Sequence, residues 1–504
     1  MKNRVFIIGL LLAAMPLMAQ QSAFDDFKQR QNDKFNQFKT DKQAEFDAYR
    51  KRLNEEYADF MRKTWEAFPV HEAEKCKKEK ELPPVVYEEP KPQEGMQSQV
   101  VSKPVMDTQS VQIAPNSEVM VVPAAQPSPE PIARVKPREE PYKRVSIAYY
   151  GSIITIGFPQ NDNLKLRAVN EDAIADAWDQ LSDSRYDITV STALNVRKAN
   201  TLCDWAYLKM LQAVTEKQYG KTNEAVLVQA FLMTQSGYRI RLGMRENKLY
   251  MLLASLYDIF DMRYYTIDGI KYYNVSGDWN GSMHITQAKF DKEKSLSLQM
   301  TQLPQLGADP TPKRTLTSKK GVTVSSSVNR NMIDFFNTYP QACFNGNQNT
   351  RWAAYANTPI EKSVQDMLYP PLEKTINGMD EYESVGILLN WVQTAFEYGY
   401  DDKIWGGDRA FFAQETLYYP YSDCEDRAIL FSRLVRDLIG LDVVLLYFPG
   451  HLAAAVAFND NVSGDYLTYK NRKYVVCDPT YINAGVGKTM PGLNTKEVQV
   501  IALR

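Results

Sequence analysis

Five cysteines, three histidines and almost no excess charge set the first limits on this 504-residue chain. A net charge of −2 at pH 7 gives no electrostatic footprint for a phosphate backbone, which excludes nucleic acid as a partner. After the first 20 residues no stretch approaches about 20 apolar residues, so no membrane span is expected in the mature chain. Dinucleotide fingerprints, phosphate-cradling loops and Cys/His clusters at metal spacing are lacking too, so the sequence implies no cofactor and no metal. The odd number of cysteines leaves at least one thiol free within a monomer.

The chain opens with Met1-Lys2-Asn3-Arg4, an apolar run from Val5 to Met18 broken by Pro16, and then Ala19-Gln20. A basic start, a short apolar core and a small residue before the cut read as a signal peptide over residues 1–19. Export to a periplasmic or extracellular compartment is therefore expected. No cysteine lies at the end of this segment, so a lipid anchor is not. An oxidising compartment makes disulfides possible among Cys76, Cys203, Cys343 and Cys477, although Cys477 should be buried and reduced on its strand.

Residues 20–69 carry Phe24, Phe35, Phe46, Tyr57 and Phe68 at a spacing of eleven, with a second aromatic series three residues on. That period is about 3.67 residues per turn and predicts one long helix of roughly 70 Å. It serves either as a stalk for self-association by coiled coil or as a helix folded back on its own domain. Residues 70–142 hold many of the chain's 26 prolines with no sustained period and read as a disordered Pro-rich linker. Its Pro127-Ser-Pro129-Glu-Pro131 stretch reads as passive tether rather than docking motif.

Chemistry concentrates near the C-terminus, in Ser422-Asp423-Cys424-Glu425-Asp426, then Pro449-Gly450-His451, then Cys477-Asp478-Pro479-Thr480. After Cys424 the apolar residues Ile429, Leu430, Leu434, Val435 and Leu438 recur at helical spacing, and Gly440 ends the run. Cys424 therefore starts a helix capped by Ser422 or Asp423, where unpaired N–H groups favour a thiolate. The acidic residues beside it act in the opposite direction. His451 opens a strand after a turn and Asp478 ends the next one. In that arrangement Cys424 is the nucleophile, His451 takes its proton and Asp478 orients the ring. An oxyanion hole would use the Cys424 N–H and a second donor, for which Gln414, Tyr419 and Tyr421 are candidates.

These residues, in this order and spacing, resemble the transglutaminase-like superfamily of papain-fold cysteine enzymes over roughly residues 365 to 485. The resemblance implies an α+β, papain/transglutaminase-like catalytic domain in 301–504 with Cys424, His451 and Asp478 as its triad. It further implies acyl transfer from a protein, peptide or peptidoglycan-type substrate, by a protease, amidase or crosslinking enzyme. Two departures bear on the substrate pocket: a long aromatic loop from Gly399 to Tyr421, and Leu452 after the histidine.

Residues 143–300 read as a degenerate copy of the same unit. Ala225 to Leu242 aligns without a gap on Ala428 to Leu445, which sets Lys221 opposite Cys424 and Lys248 opposite His451. Lysine cannot replace a thiol nucleophile there. The competing expectation is a non-catalytic envelope binding or scaffold protein with a vestigial triad.

Overall fold

The eleven-residue aromatic period becomes a single helix, α1 (Val5–Met61). In the computed structural model, residues 5–77, 80–88, 110–114, 119–133, 135, 141–277 and 279–504 are described, with side chains from residue 27 onward. Residues 1–4, the basic start of the expected signal peptide, lie outside that set.

Phe35 and Phe38 on α1 are exposed, whereas Arg50, Asn54, Tyr57, Ala58 and Met61 are buried. Tyr57 stacks on Trp178 at 4.7 Å and on Phe290 at 4.4 Å. Asn54 Oδ1 accepts hydrogen bonds from Trp178 Nε1 (3.3 Å) and Gln235 Nε2 (2.8 Å). The helix is thus solvent-exposed at Phe35 and Phe38 and folded back on the first unit at its end, as the second of the two expectations has it. It stops eight residues short of the expected boundary at 69. Glu66–Phe68 forms strand β1 instead, paired antiparallel with Met283–Ile285 of the first sheet.

The linker assignment over 70–142 also needs correction. Residues 78–79, 89–109, 115–118, 134 and 136–140 lie outside the described residues, but the rest is bound to the folded units. Val85–Val86 is strand β2 and Met120–Val121 is strand β3, each paired with a C-terminal strand. Ile132 N–H donates to Gln235 O at 3.1 Å, which docks the Pro-rich stretch on the first unit. Proline lacks a donor but leaves carbonyls and neighbouring N–H groups able to pair at sheet edges.

The first unit is built on helix α2 (Asn223–Gln235) followed by β4 (Ile240–Arg245), β5 (Lys248–Ala254), β6 (Tyr264–Ile267), β7 (Ile270–Asn274) and β8 (Met283–Ile285). Its sheet runs β6-β7-β5-β4-β8-β1. In the second unit, helix α3 (Glu381–Thr394) leads to α4 (Cys424–Leu438), then β9 (Asp442–Phe448), β10 (His451–Ala457), β11 (Tyr466–Tyr469), β12 (Arg472–Cys477), β13 (Tyr481–Ile482) and β14 (Gln499–Ala502). Its main sheet runs β11-β12-β10-β9-β14-β3, and β13 pairs with β2 apart from it. Strand for strand the two orders agree, with a helix against the central hairpin in both. The helices end alike at Gly237 (φ 88°) and Gly440 (φ 79°), and Lys248 opens β5 as His451 opens β10. Only the outermost pairing differs: β1 is antiparallel to β8, β3 parallel to β14.

Arg314–Thr317 and Thr323–Ser326 form a hairpin that packs on the helix Lys362–Ile376. The molecule is α+β with a long N-terminal helix. No helix among the described residues is long and apolar enough to cross a membrane.

Candidate active site

Helix α4 starts at Cys424 because its cap is closed from both sides. The Asp423 carboxylate accepts from the Asp426 N–H (3.4 Å), and the Asp426 carboxylate accepts from the Asp423 N–H (3.2 Å). The buried face of Ile429, Leu430, Leu434 and Val435 holds the helix against the sheet. Deeper in its first turn, the Arg427 guanidinium donates to Gln393 O (3.1 Å), Phe396 O (2.9 Å) and Ser422 Oγ (3.2 Å), tying α4 to the end of α3.

His451 is delivered by the tight turn between β9 and β10. Gly450 stands at φ 77°, and a Cβ there would lie 2.4 Å from the Lys80 carbonyl oxygen, so only glycine fits. Strand β12 lies beside β10 with Ala454 opposite Cys477, which brings the residue after Cys477 level with the His451 end. His451 Nε2 and Asp478 Oδ2 are 2.9 Å apart, both 1% exposed. The second carboxylate oxygen of Asp478 accepts from the N–H groups of Thr480 (2.8 Å) and Tyr481 (3.2 Å). Gln393 Nε2 donates to the carbonyls of Asp478 (3.0 Å), Tyr481 (2.8 Å) and Ala484 (3.0 Å), so α3 fixes the loop that carries the acid.

Cys424 and His451 line one cavity of about 20 Å³, enough for about a single water, together with Glu81, Trp352, Glu425 and Tyr447. His451 Nδ1 is buried without a hydrogen-bond partner. The three residues singled out from the sequence are therefore gathered at one place. Of the two opposing influences on the thiol, burial and the carboxylates prevail. Cys424 Sγ donates to Glu425 Oε2 at 3.0 Å, and burial pushes the thiol well above its ordinary range, with Glu425, Asp423 and Glu81 adding to the effect. Helix N–H groups favour the thiolate, but loss of solvent and three carboxylates outweigh them.

A folded state that holds the proton more tightly than the unfolded chain loses stability as pH rises past the ordinary thiol value of 9.0. Iodoacetamide at pH 8 should accordingly label Cys424 more slowly than free cysteine, and Glu425→Gln should speed it several-fold. Site-resolved mass spectrometry reads both, and a wild-type rate equal to free cysteine would contradict the burial argument.

The proposed oxyanion donors fare differently. Gln414 Oε1 accepts from the Glu361 N–H at 2.9 Å, the Tyr419 hydroxyl donates to Asn337 Oδ1 at 2.9 Å, and Tyr421 is exposed. None of them lines the cavity. Trp352 does, and its buried Nε1 has no hydrogen-bond partner. In the sequence it is one aromatic among many, and nothing there marks its indole N–H as unsatisfied.

None of the possible disulfides among Cys76, Cys203, Cys343 and Cys477 is formed, and Cys477 is buried and reduced as expected. Two groupings carry donor sets suited to a cation, Asp401 with Asp423 and Glu425, and Glu74 with Asp258 and Cys343. In the second, the Lys271 ammonium already reaches Asp258 (2.6 Å) and Glu74 (3.3 Å). No protein-family model, no curated protein and no solved structure matches this chain.

Proposed function

We propose that the protein is an exported, cysteine-dependent acyl-transfer enzyme whose papain/transglutaminase-like C-terminal domain acts on peptide or carboxamide groups, with residues 143–300 a degenerate copy. The observation that carries this reading is the buried His451–Asp478 pair, whose Nδ1 has no hydrogen-bond partner and whose histidine lines one cavity with Cys424. Matching strand order in the two sheets supports the duplication.

The thiol turns from Glu425 to His451 Nδ1 and gives up its proton as Sγ attacks the acyl carbon. Asp478 accepts from Nε2–H and stabilises the imidazolium. Collapse of the tetrahedral adduct breaks the C–N bond; the leaving amine takes the proton from Nδ1, and a thioester remains on Cys424. Water or an incoming amine then attacks that thioester while His451 receives its proton, which gives hydrolysis or crosslinking respectively.

The Cys424 N–H and the Trp352 indole supply donors for the developing oxyanion. Trp352→Phe keeps an aromatic ring and removes the donor, so kcat should fall on the order of 100-fold with little change in KM. Equal activity in this variant would remove Trp352 from the site. A second reading, a binding or scaffold protein with a vestigial triad, is favoured by the protonated thiol and its bond to Glu425. Incubating exported peptides and wall fragments with protein in which Glu81→Ala/Leu82→Asp opens the cavity at Cys424, with and without Cys424→Ala, and comparing products by mass spectrometry, separates the two. Products that depend on Cys424 support the enzyme, and identical profiles support the scaffold.

A further inference from the structure

The thiol is buried because another part of the same chain lies over it. From Lys80 the backbone crosses the turn that carries His451: the Lys80 carbonyl packs on Gly450, and the Leu82 N–H donates to Gly450 O at 3.0 Å. It continues alongside the loop that carries Asp478, where Val85 and Val86 pair in parallel with Tyr481 and Ile482. The Tyr87 N–H then donates to Ile482 O at 2.8 Å. Between these anchors Glu81 faces the cavity shared by Cys424 and His451 and accepts a hydrogen bond from the Tyr398 hydroxyl. Leu82, Val85 and Tyr87 pack their side chains against Tyr481, Ala484 and Met490.

An extended segment held by main-chain hydrogen bonds, with alternate side chains in pockets, is how a peptide adds to an exposed strand. We propose that residues 80–88 are a built-in occupant of the acyl-donor cleft, and that the substrate is a polypeptide that takes their place in the same extended register along β13. This rests on the catalytic reading given above. The hold is small, a two-residue pairing, two further backbone bonds, the Tyr398–Glu81 hydrogen bond and one apolar cluster, which suits a segment that opens locally without global unfolding. While it is seated the thiol is covered and the enzyme is latent. Once displaced, the same groups, Gly450 O and the backbone of Tyr481 and Ile482, become free to bind the incoming chain.

The test uses the full-length protein and iodoacetamide, with each cysteine followed separately by mass spectrometry. Glu81→Ala/Leu82→Asp should raise the labelling rate of Cys424 by about tenfold or more while buried Cys343 and Cys477 stay slow. An unchanged rate at Cys424 overturns the proposal. If all three speed up together the variant has loosened the fold, and Tyr398→Phe, which cuts only the tie to Glu81, takes its place; it must raise Cys424 alone, or the proposal fails.

A synthetic peptide of residues 80–88 should restore protection of the released protein, and a scrambled peptide should not. Equal protection by both, or by neither, overturns the extended register. Adding His451→Ala to the released protein separates this inference from the one beneath it. Labelling that no longer depends on His451 sinks the catalytic reading and leaves the covering segment intact.

Discussion

Cys424→Ala and His451→Ala are each expected to lower turnover on the order of 10⁵-fold, and the double variant no further than either alone. In the proposed mechanism nucleophile and base act as one unit, so removing the second member of a broken pair costs little more. Asp478→Ala should be milder, on the order of 10³ to 10⁴, because the carboxylate orients and stabilises the ring without touching the acyl group. The assay is release of amine, or incorporation of a labelled amine, measured in the background where residues 80–88 have been displaced. Additive losses in the double variant would mean that Cys424 and His451 work separately, and would contradict proton transfer through Nδ1.

The largest effect on stability is expected from Arg427→Met. The guanidinium is 1% exposed and serves the carbonyls of Gln393 and Phe396 and the Ser422 hydroxyl. Methionine fills similar volume but leaves two buried carbonyls without donors and removes a cation near Asp423 and Asp426. Together these cost about 3 kcal/mol or more, measured as a lower midpoint in urea with an unchanged slope. Activity should fall with it, since Gln393 both receives Arg427 and holds the Asp478 loop. A loss below about 1 kcal/mol would show that the ends of α3 and α4 are held mainly by packing.

How far the chain could be read in advance depended on how local each signal was. Cys424, His451 and Asp478 were legible because each stands at the end of an element whose own pattern is strong: a capped amphipathic helix, a Pro-Gly turn, an apolar strand. The paired units were legible for a related reason, since Gly237 and Gly440 each close a helix just ahead of an apolar hairpin. The covering segment was hidden. Its residues include Pro83-Pro84 and show no period, and their partners Gly450 and Tyr481 lie far away in sequence. Isolated apolar residues such as Leu82, Val85 and Tyr87 read as linker until the surface that receives them is known.

The eleven-residue spacing continues through Phe68, while tertiary pairing takes that residue out of α1 and into a strand. The state of Cys424 turned on a balance the sequence poses but does not settle. A helix N-terminus favours the thiolate, and the acidic neighbours oppose it. Burial, which decides the outcome here, is a property of the folded chain.

The most direct measurement of the central claim is intact-protein mass spectrometry of the Glu81→Ala/Leu82→Asp protein, quenched in acid during incubation with a pool of exported peptides. A thioester is stable enough in acid to be captured. The account predicts an added acyl mass that maps to Cys424, disappears with hydroxylamine and is absent when Cys424 is alanine. An exposed, fully alkylatable Cys424 that never carries an acyl group under these conditions would contradict it.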